Sequence, residues 1–225
     1  MSGDRRERGL LEALAANRGA AAVGAVVLVL AAVLVVGSLR RPELPTYPPS
    51  APGTRPAAGR LVGPTTYTVD ARQSDRWQLF SFAEGGVVDE EDGSDWDLGF
   101  RRFQVIANGG DGFAGDGGAL RLGAVSLDSI TELPLRGYEG TRVERGDSIV
   151  APLEDWYTYS FLTHLLRPTG EAYAVRTADG RFAALRFLGY YCPGAQPGCV
   201  TFEYVYQGAG GPALRPGADG SDHDG

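Results

Sequence analysis

The stretch Gly19–Leu39, GAAAVGAVVLVLAAVLVVGSL, runs 21 residues without a charge. At about 1.5 Å per residue, a helix of that length crosses the roughly 30 Å hydrocarbon core of a bilayer. It predicts a transmembrane helix over residues 19–39, with residues 1–18 as a cytoplasmic segment ahead of it. A cleaved signal peptide is the alternative. Against that, the run is long for a signal h-region, and Arg40 and Arg41 stand where a small-residue cleavage site belongs. Arg5, Arg6, Arg8 and Arg18 on the near side outnumber those two, which orients the N-terminus toward the cytoplasm. LLEALAANRG reads as a turn or two of helix at the membrane surface. Small residues in the anchor, Gly24 among them, suit close packing against another helix.

Composition removes several function classes. The net charge of -7 argues against a nucleic-acid partner, because neutralising phosphates needs clustered cations. Every one of the 21 basic residues is arginine, so neither Schiff-base chemistry nor a phosphate-loop lysine is available. Met1 is the single methionine, and the two histidines are His164 and His223. No catalytic residue and no metal site is assigned.

Residues 40–60 are rich in Pro and Ala and are expected to form an extended linker. The tail 208–225 has little to bury and is expected to be disordered. Between them, residues 61–207 read as an all-β domain, mainly antiparallel. In CVTFEYVYQ, Val200, Phe202, Tyr204 and Tyr206 alternate with Thr201, Glu203 and Val205, so one face is aromatic. EAYAVRTADGRFAALRFLGYY predicts a hairpin with Asp179-Gly180 in a two-residue turn. RWQLFSFAEG and DLGFRRFQVIA are further strands, the second with a shift of apolar parity at Arg101-Arg102 that suggests a bulge. Residues 153–166, LEDWYTYSFLTHLL, are either a short helix or an irregular aromatic segment.

Cys192 and Cys199 bracket a short Pro/Gly loop between two strand-like segments. A disulfide there would clip a hairpin in an oxidising compartment, which favours a periplasmic domain; the alternative is a pair of buried thiols. The loop NGGDGFAGDGG lacks a following helix and so lacks the N-terminus that makes a phosphate loop work. Its glycines read as turn and packing residues, with a calcium site built on Asn108, Asp111 and Asp116 as the less favoured alternative. In the acidic run from Asp89 to Asp97, Trp96 reads as a core anchor and Asp97 as an acceptor for nearby backbone donors. Arg101 and Arg102 are placed to pair with that run.

SDWDLGFRRFQVIANGGDGFAGDGGA, then DWYTYSFLTHLLRP, YAVRTADGRFAALRFLGYY and TFEYVYQ, resemble in order the HmuY-like family of exported β-proteins over most of residues 65–207. The resemblance implies a largely antiparallel β-fold. It also implies a cell-envelope setting, in which the best-known members hold haem iron between two histidines. Here that clamp would need His164 and His223, and His223 lies at the end of the tail. A His164–tyrosine pair through Tyr157, Tyr159, Tyr190 or Tyr191 is the remaining ligand set.

The expectation is therefore a non-catalytic accessory subunit of the inner membrane, with no cofactor. It would bind and stabilise a larger complex of integral membrane proteins, whether respiratory, photosynthetic, transport or envelope. Trp96, Asn108, Gly109, Gly110, Phe113 and Gly24 are the candidate interaction residues. The alternative is a haem- or tetrapyrrole-binding protein that uses His164.

Overall fold

In this computed structural model the described chain begins with a 22-residue helix, α1 (Arg18–Leu39). The structure describes residues 18–39, 44–52, 59–89, 93 and 95–215. The N-terminal segment 1–17 and the tail from residue 216, His223 included, lie outside the described residues. Contacts divide the chain into two compact units, one of residues 1–43 with 160–165, the other of 44–159 with 166–225.

In the first unit α1 is apolar all round, and residues 19–36 are exposed along its length. A helix of this kind is a candidate membrane span, although a signal sequence has the same character.

The second unit is mainly β. Its strands are β1 (Leu61–Asp70), β2 (Gln78–Ser81), β3 (Gly86–Val88), β4 (Leu98–Arg101), β5 (Gln104–Ala107), β6 (Gly118–Gly123), β7 (Arg142–Glu144) and β8 (Asp147–Ile149). A short helix, α2 (Ala151–Glu154), precedes β9 (Tyr157–Ser160) and β10 (Leu165–Pro168), and β11 (Ala172–Arg176), β12 (Phe182–Cys192) and β13 (Gln196–Gln207) follow. One sheet has the order β1-β13-β12-β11-β6, another β3-β2-β4-β5, and β7-β8 and β9-β10 are separate ribbons. The β1–β13, β12–β13, β11–β12, β6–β11, β2–β3, β2–β4, β4–β5 and β7–β8 pairings are antiparallel.

The alternation in β13 works as the sequence predicts on one face. Phe202 and Tyr204 are buried there with Phe80, Phe82 and Phe100 from the four-stranded sheet. The Phe202 ring stacks on Phe100 at 5.4 Å and meets Phe80 edge-on at 5.2 Å. Pairs of this kind add about 0.5–1.5 kcal/mol each beyond area burial. The opposite face is buried as well. Val205, Ala172, Ala174, Phe182 and Ala184 pack there with Leu127, Leu133 and Leu214.

Leu214 corrects the tail boundary. Residues 208–215 pack on the domain: Leu214 is buried, and its N–H donates to the Thr131 carbonyl at 2.8 Å. Residues 44–52 of the expected linker lie along the domain. Tyr47 donates to Tyr191, and Ser50 donates to Thr68.

Other expectations change with the backbone. The parity shift at Arg101-Arg102 is a tight hairpin turn rather than a bulge: Arg101 pairs with Gln104, and Arg102 has φ 56°. The β11–β12 turn is longer than two residues. Arg176 pairs with Phe182, Thr177 donates to Arg181, and Gly180, at φ 84°, donates back to Thr177. That is a three-residue loop with the glycine in the left-handed position. Most of residues 153–166 is the β9–β10 hairpin, because aromatic and β-branched side chains at Tyr157, Thr158 and Tyr159 favour a strand. β1 carries a register shift between Val62 and Thr65, across Gly63-Pro64. Proline is tolerated there because β1 is an edge strand.

Cys192 and Cys199 form a disulfide with Cα atoms 5.0 Å apart, joining the end of β12 to β13.

Candidate functional site

The hairpin that carries His164 is anchored by its stem. Trp156 is fully buried, and its indole N–H donates to the Phe103 carbonyl at 2.8 Å. Its ring lies 4.5 Å from Phe187. Thr169 donates back to the Trp156 carbonyl, and Leu166 donates to the Tyr191 hydroxyl at 2.9 Å. The turn itself is Ser160-Phe161-Leu162-Thr163-His164, closed by the His164 N–H on the Ser160 carbonyl at 2.8 Å. His164 takes φ 55°, a left-handed conformation in which histidine is enriched among non-glycine residues. Its backbone thus has a structural task in the turn, while its side chain is exposed. Tyr159, Phe161 and Leu162 are 44%, 82% and 53% exposed, an apolar group around the histidine in sequence.

The tyrosines weighed as partners separate by environment. Tyr190 is buried, and burial raises its pKa, as it does for Tyr157, so both resist ionising to tyrosinate. Tyr191 is buried and occupied by Leu166. Tyr159 is the exposed one.

Trp96, Asn108, Gly109 and Gly110 are engaged within the domain. Trp96 is buried against Phe113, with ring centroids 5.6 Å apart. The Asn108 amide donates to the Gly93 and Trp96 carbonyls at 2.9 Å each, and its oxygen accepts the Gly115 N–H. A Cβ at Gly109 would run into the Gly117 backbone, and one at Gly110 into Thr141. The glycine-rich loop thus lies flat against its neighbours, and the calcium reading loses its ligands. Asn108 is engaged by backbone groups, and Asp116 faces Arg176 at 3.5 Å. Among the described residues no three His, Cys, Asp or Glu side chains converge as a metal site. Gly24 lies on α1 with nothing within 4 Å of where a Cβ would be.

Asp97 is buried and accepts the Phe82 N–H at 2.7 Å and the Ala178 N–H at 2.9 Å. Burial pushes its carboxyl up to about 6 against those donors. Arg101 and Arg102 turn elsewhere: Arg101 lies 4.4 Å over the Trp77 ring, and Arg102 donates to the Arg72 carbonyl.

Two hollows in the domain bear on ligand binding. One, of about 130 Å³, lies between Phe103, Ile149, Leu153 and Tyr157, and is too small for a macrocycle. The other, of about 580 Å³, is lined by Glu84, Asp89, Asp95, Asp97 and Asp179, a setting that repels carboxylate-bearing ligands.

The HmuY model, described as HmuY protein, matches residues 73–204. The chain belongs to the HmuY family. Three solved structures share the fold. The apo HmuY analogue of Tannerella forsythia has 14% identity and a TM-score of 0.54, covering 67% of this chain and 98% of that one. A candidate HmuY-like haem-binding protein from Bacteroides vulgatus has 18% identity and a TM-score of 0.52, covering 70% and 98%. Apo PinO from Porphyromonas gingivitis has 15% identity and a TM-score of 0.51, covering 66% and 97%. No curated protein matches the sequence.

The Bacteroides vulgatus relative is described as haem-binding, and the residues described in this chain match that group in one respect. The exposed His164 imidazole suits one axial position, with exposed apolar side chains beside it in sequence. A two-histidine clamp does not form among the described residues, where His164 is the single histidine.

Proposed function

We propose that this HmuY-family protein is a non-catalytic haem- or tetrapyrrole-binding protein of a bacterial cell envelope. In this reading α1 holds it in the inner membrane and the β-domain faces the periplasm. Family membership carries the reading, supported by the Bacteroides vulgatus relative described as haem-binding. In this chain His164 would supply one ligand to the iron, and Phe161 and Leu162 would cover apolar edges of the macrocycle. When bound, the group would supply the iron that the protein carries. The chain's own part is to hold and shield it.

Haemin titration of the full-length protein in detergent tests this. A Soret shift that saturates near one equivalent and disappears in His164→Ala is the expected result. No shift, or a shift that survives the substitution, removes His164 and this reading with it.

A second reading, the accessory subunit of a larger membrane complex, is favoured by one observation. α1 exposes an uncovered apolar surface containing Gly24, which would accept a partner helix. Co-purification of stoichiometric partners in mild detergent would support it, and a lone protein would argue against it.

A further inference from the structure

The two pieces of the first unit meet. A Cβ built on Gly37, near the C-terminal end of α1, would lie 3.9 Å from the Leu162 carbonyl oxygen. The turn between β9 and β10 is therefore beside the end of the candidate span Gly19–Gly37. A helix of 19 residues rises about 28 Å, so its end reaches the boundary between hydrocarbon and headgroups. Phe161 and Leu162, the turn's exposed large side chains, are of the apolar types that seat at that boundary. In water, Phe161 at 82% exposure forgoes nearly all of its burial energy; at the interface it regains part of it.

We propose that the Ser160–Leu165 turn is a second membrane contact, seated in the headgroup layer of the bilayer that α1 crosses. It commits to lipid because the helix end beside it fixes its depth. The contact limits rotation of the anchored chain and presents His164 at the same level. The haem reading calls on the same side chains, so lipid and macrocycle compete for them. It rests on α1 being retained as the anchor, and not on haem.

The test uses the full-length protein in vesicles of phosphatidylethanolamine and phosphatidylglycerol. The native cysteines are tied in the disulfide, so Phe161→Cys takes a nitroxide label at one place. Val143→Cys, at a site 53% exposed, is the aqueous control, and Leu30→Cys reports on the anchor. Collision with oxygen relative to a water-soluble nickel chelate should be several-fold greater at 161 than at 143, and greatest at 30. If 161 matches 143 while 30 stays lipid-buried, the turn proposal falls and the anchor stands. If 30 is itself open to the chelate, the anchor falls and the proposal with it. A label at 161 shielded from both probes would mean that protein covers the turn, which also overturns the lipid assignment. Haemin titration of the unlabelled wild-type protein in the same vesicles scores the haem reading separately.

Discussion

The carboxylate of Asp97 accepts the backbone N–H of Ala178 at 2.9 Å, tying the entry to β4 to the turn that follows β11. Its other oxygen takes the Phe82 N–H, so one buried side chain holds three segments of the domain. Desolvation nevertheless outweighs the two donors and lifts the group from 3.8 to about 6. The folded state therefore keeps the Asp97 proton to higher pH than the unfolded chain does. The contribution of this group is full below about pH 4 and is lost as the pH rises toward 6, a change on the order of 3 kcal/mol. Asp97→Asn should lack this dependence. Urea unfolding of both proteins from pH 4 to 7 measures it as the wild-type minus variant difference, which should shrink with rising pH. A difference that grows would mean that the donors prevail over burial.

Two glycines of one loop should respond differently to alanine. Gly109 needs no special φ, but its Cβ would enter the Gly117 backbone, so Gly109→Ala should cost more than about 3 kcal/mol or prevent folding. Gly112 has φ 83° and open space, so Gly112→Ala should cost about 1 kcal/mol of backbone strain alone. Thermal unfolding of the pair distinguishes them. Equal losses would refute the assignment of Gly109 to close backbone approach.

The Cys192–Cys199 link spans a sequence separation of 7, a short loop. Closing so small a loop in the unfolded chain is worth at most about 2–3 kcal/mol. Reduction should lower the urea midpoint by a corresponding amount and leave the unfolding cooperative, because the β12–β13 pairing continues along the strands. A loss of all tertiary signal on reduction would show that the bridge, rather than the aromatic interface, holds the domain.

Removing Phe202 attacks that interface directly. Phe202→Ala deletes a fully buried ring shared by Phe80, Phe100, Phe187 and Tyr204 and should cost 3–5 kcal/mol. Chemical denaturation checks this. A cost below about 1 kcal/mol would place the core elsewhere.

Much of the fold is legible in residue order because strands advertise themselves by period. Val200, Phe202, Tyr204 and Tyr206 alternate cleanly, and the hairpin around Gly180 and the disulfide loop carry turn residues. Where the pattern failed, the cause was local. In residues 153–166 Trp156, Tyr159 and Leu162 fit a helical face, and nothing in their spacing reveals that a turn intervenes at Phe161. β1 was hidden by Gly63-Pro64, which interrupts its alternation, and Leu214 by the glycines and prolines around it. The exposure of His164 was not readable either. It follows from its place in a tight turn, and a histidine among apolar neighbours otherwise reads as buried.

The linker segment laid along β1 has a further effect. Ser50 takes up both the N–H and the carbonyl of Thr68 on that edge strand, through its side chain and its backbone. At the other end of the sheet β6 is met by Glu139 through Ala119. Copies confined to a plane collide far more often than copies free in solution. A sheet with an open border would recruit its neighbours strand by strand. Contacts at Thr68 and Ala119 interrupt both borders of this sheet, which hinders such strand-by-strand recruitment.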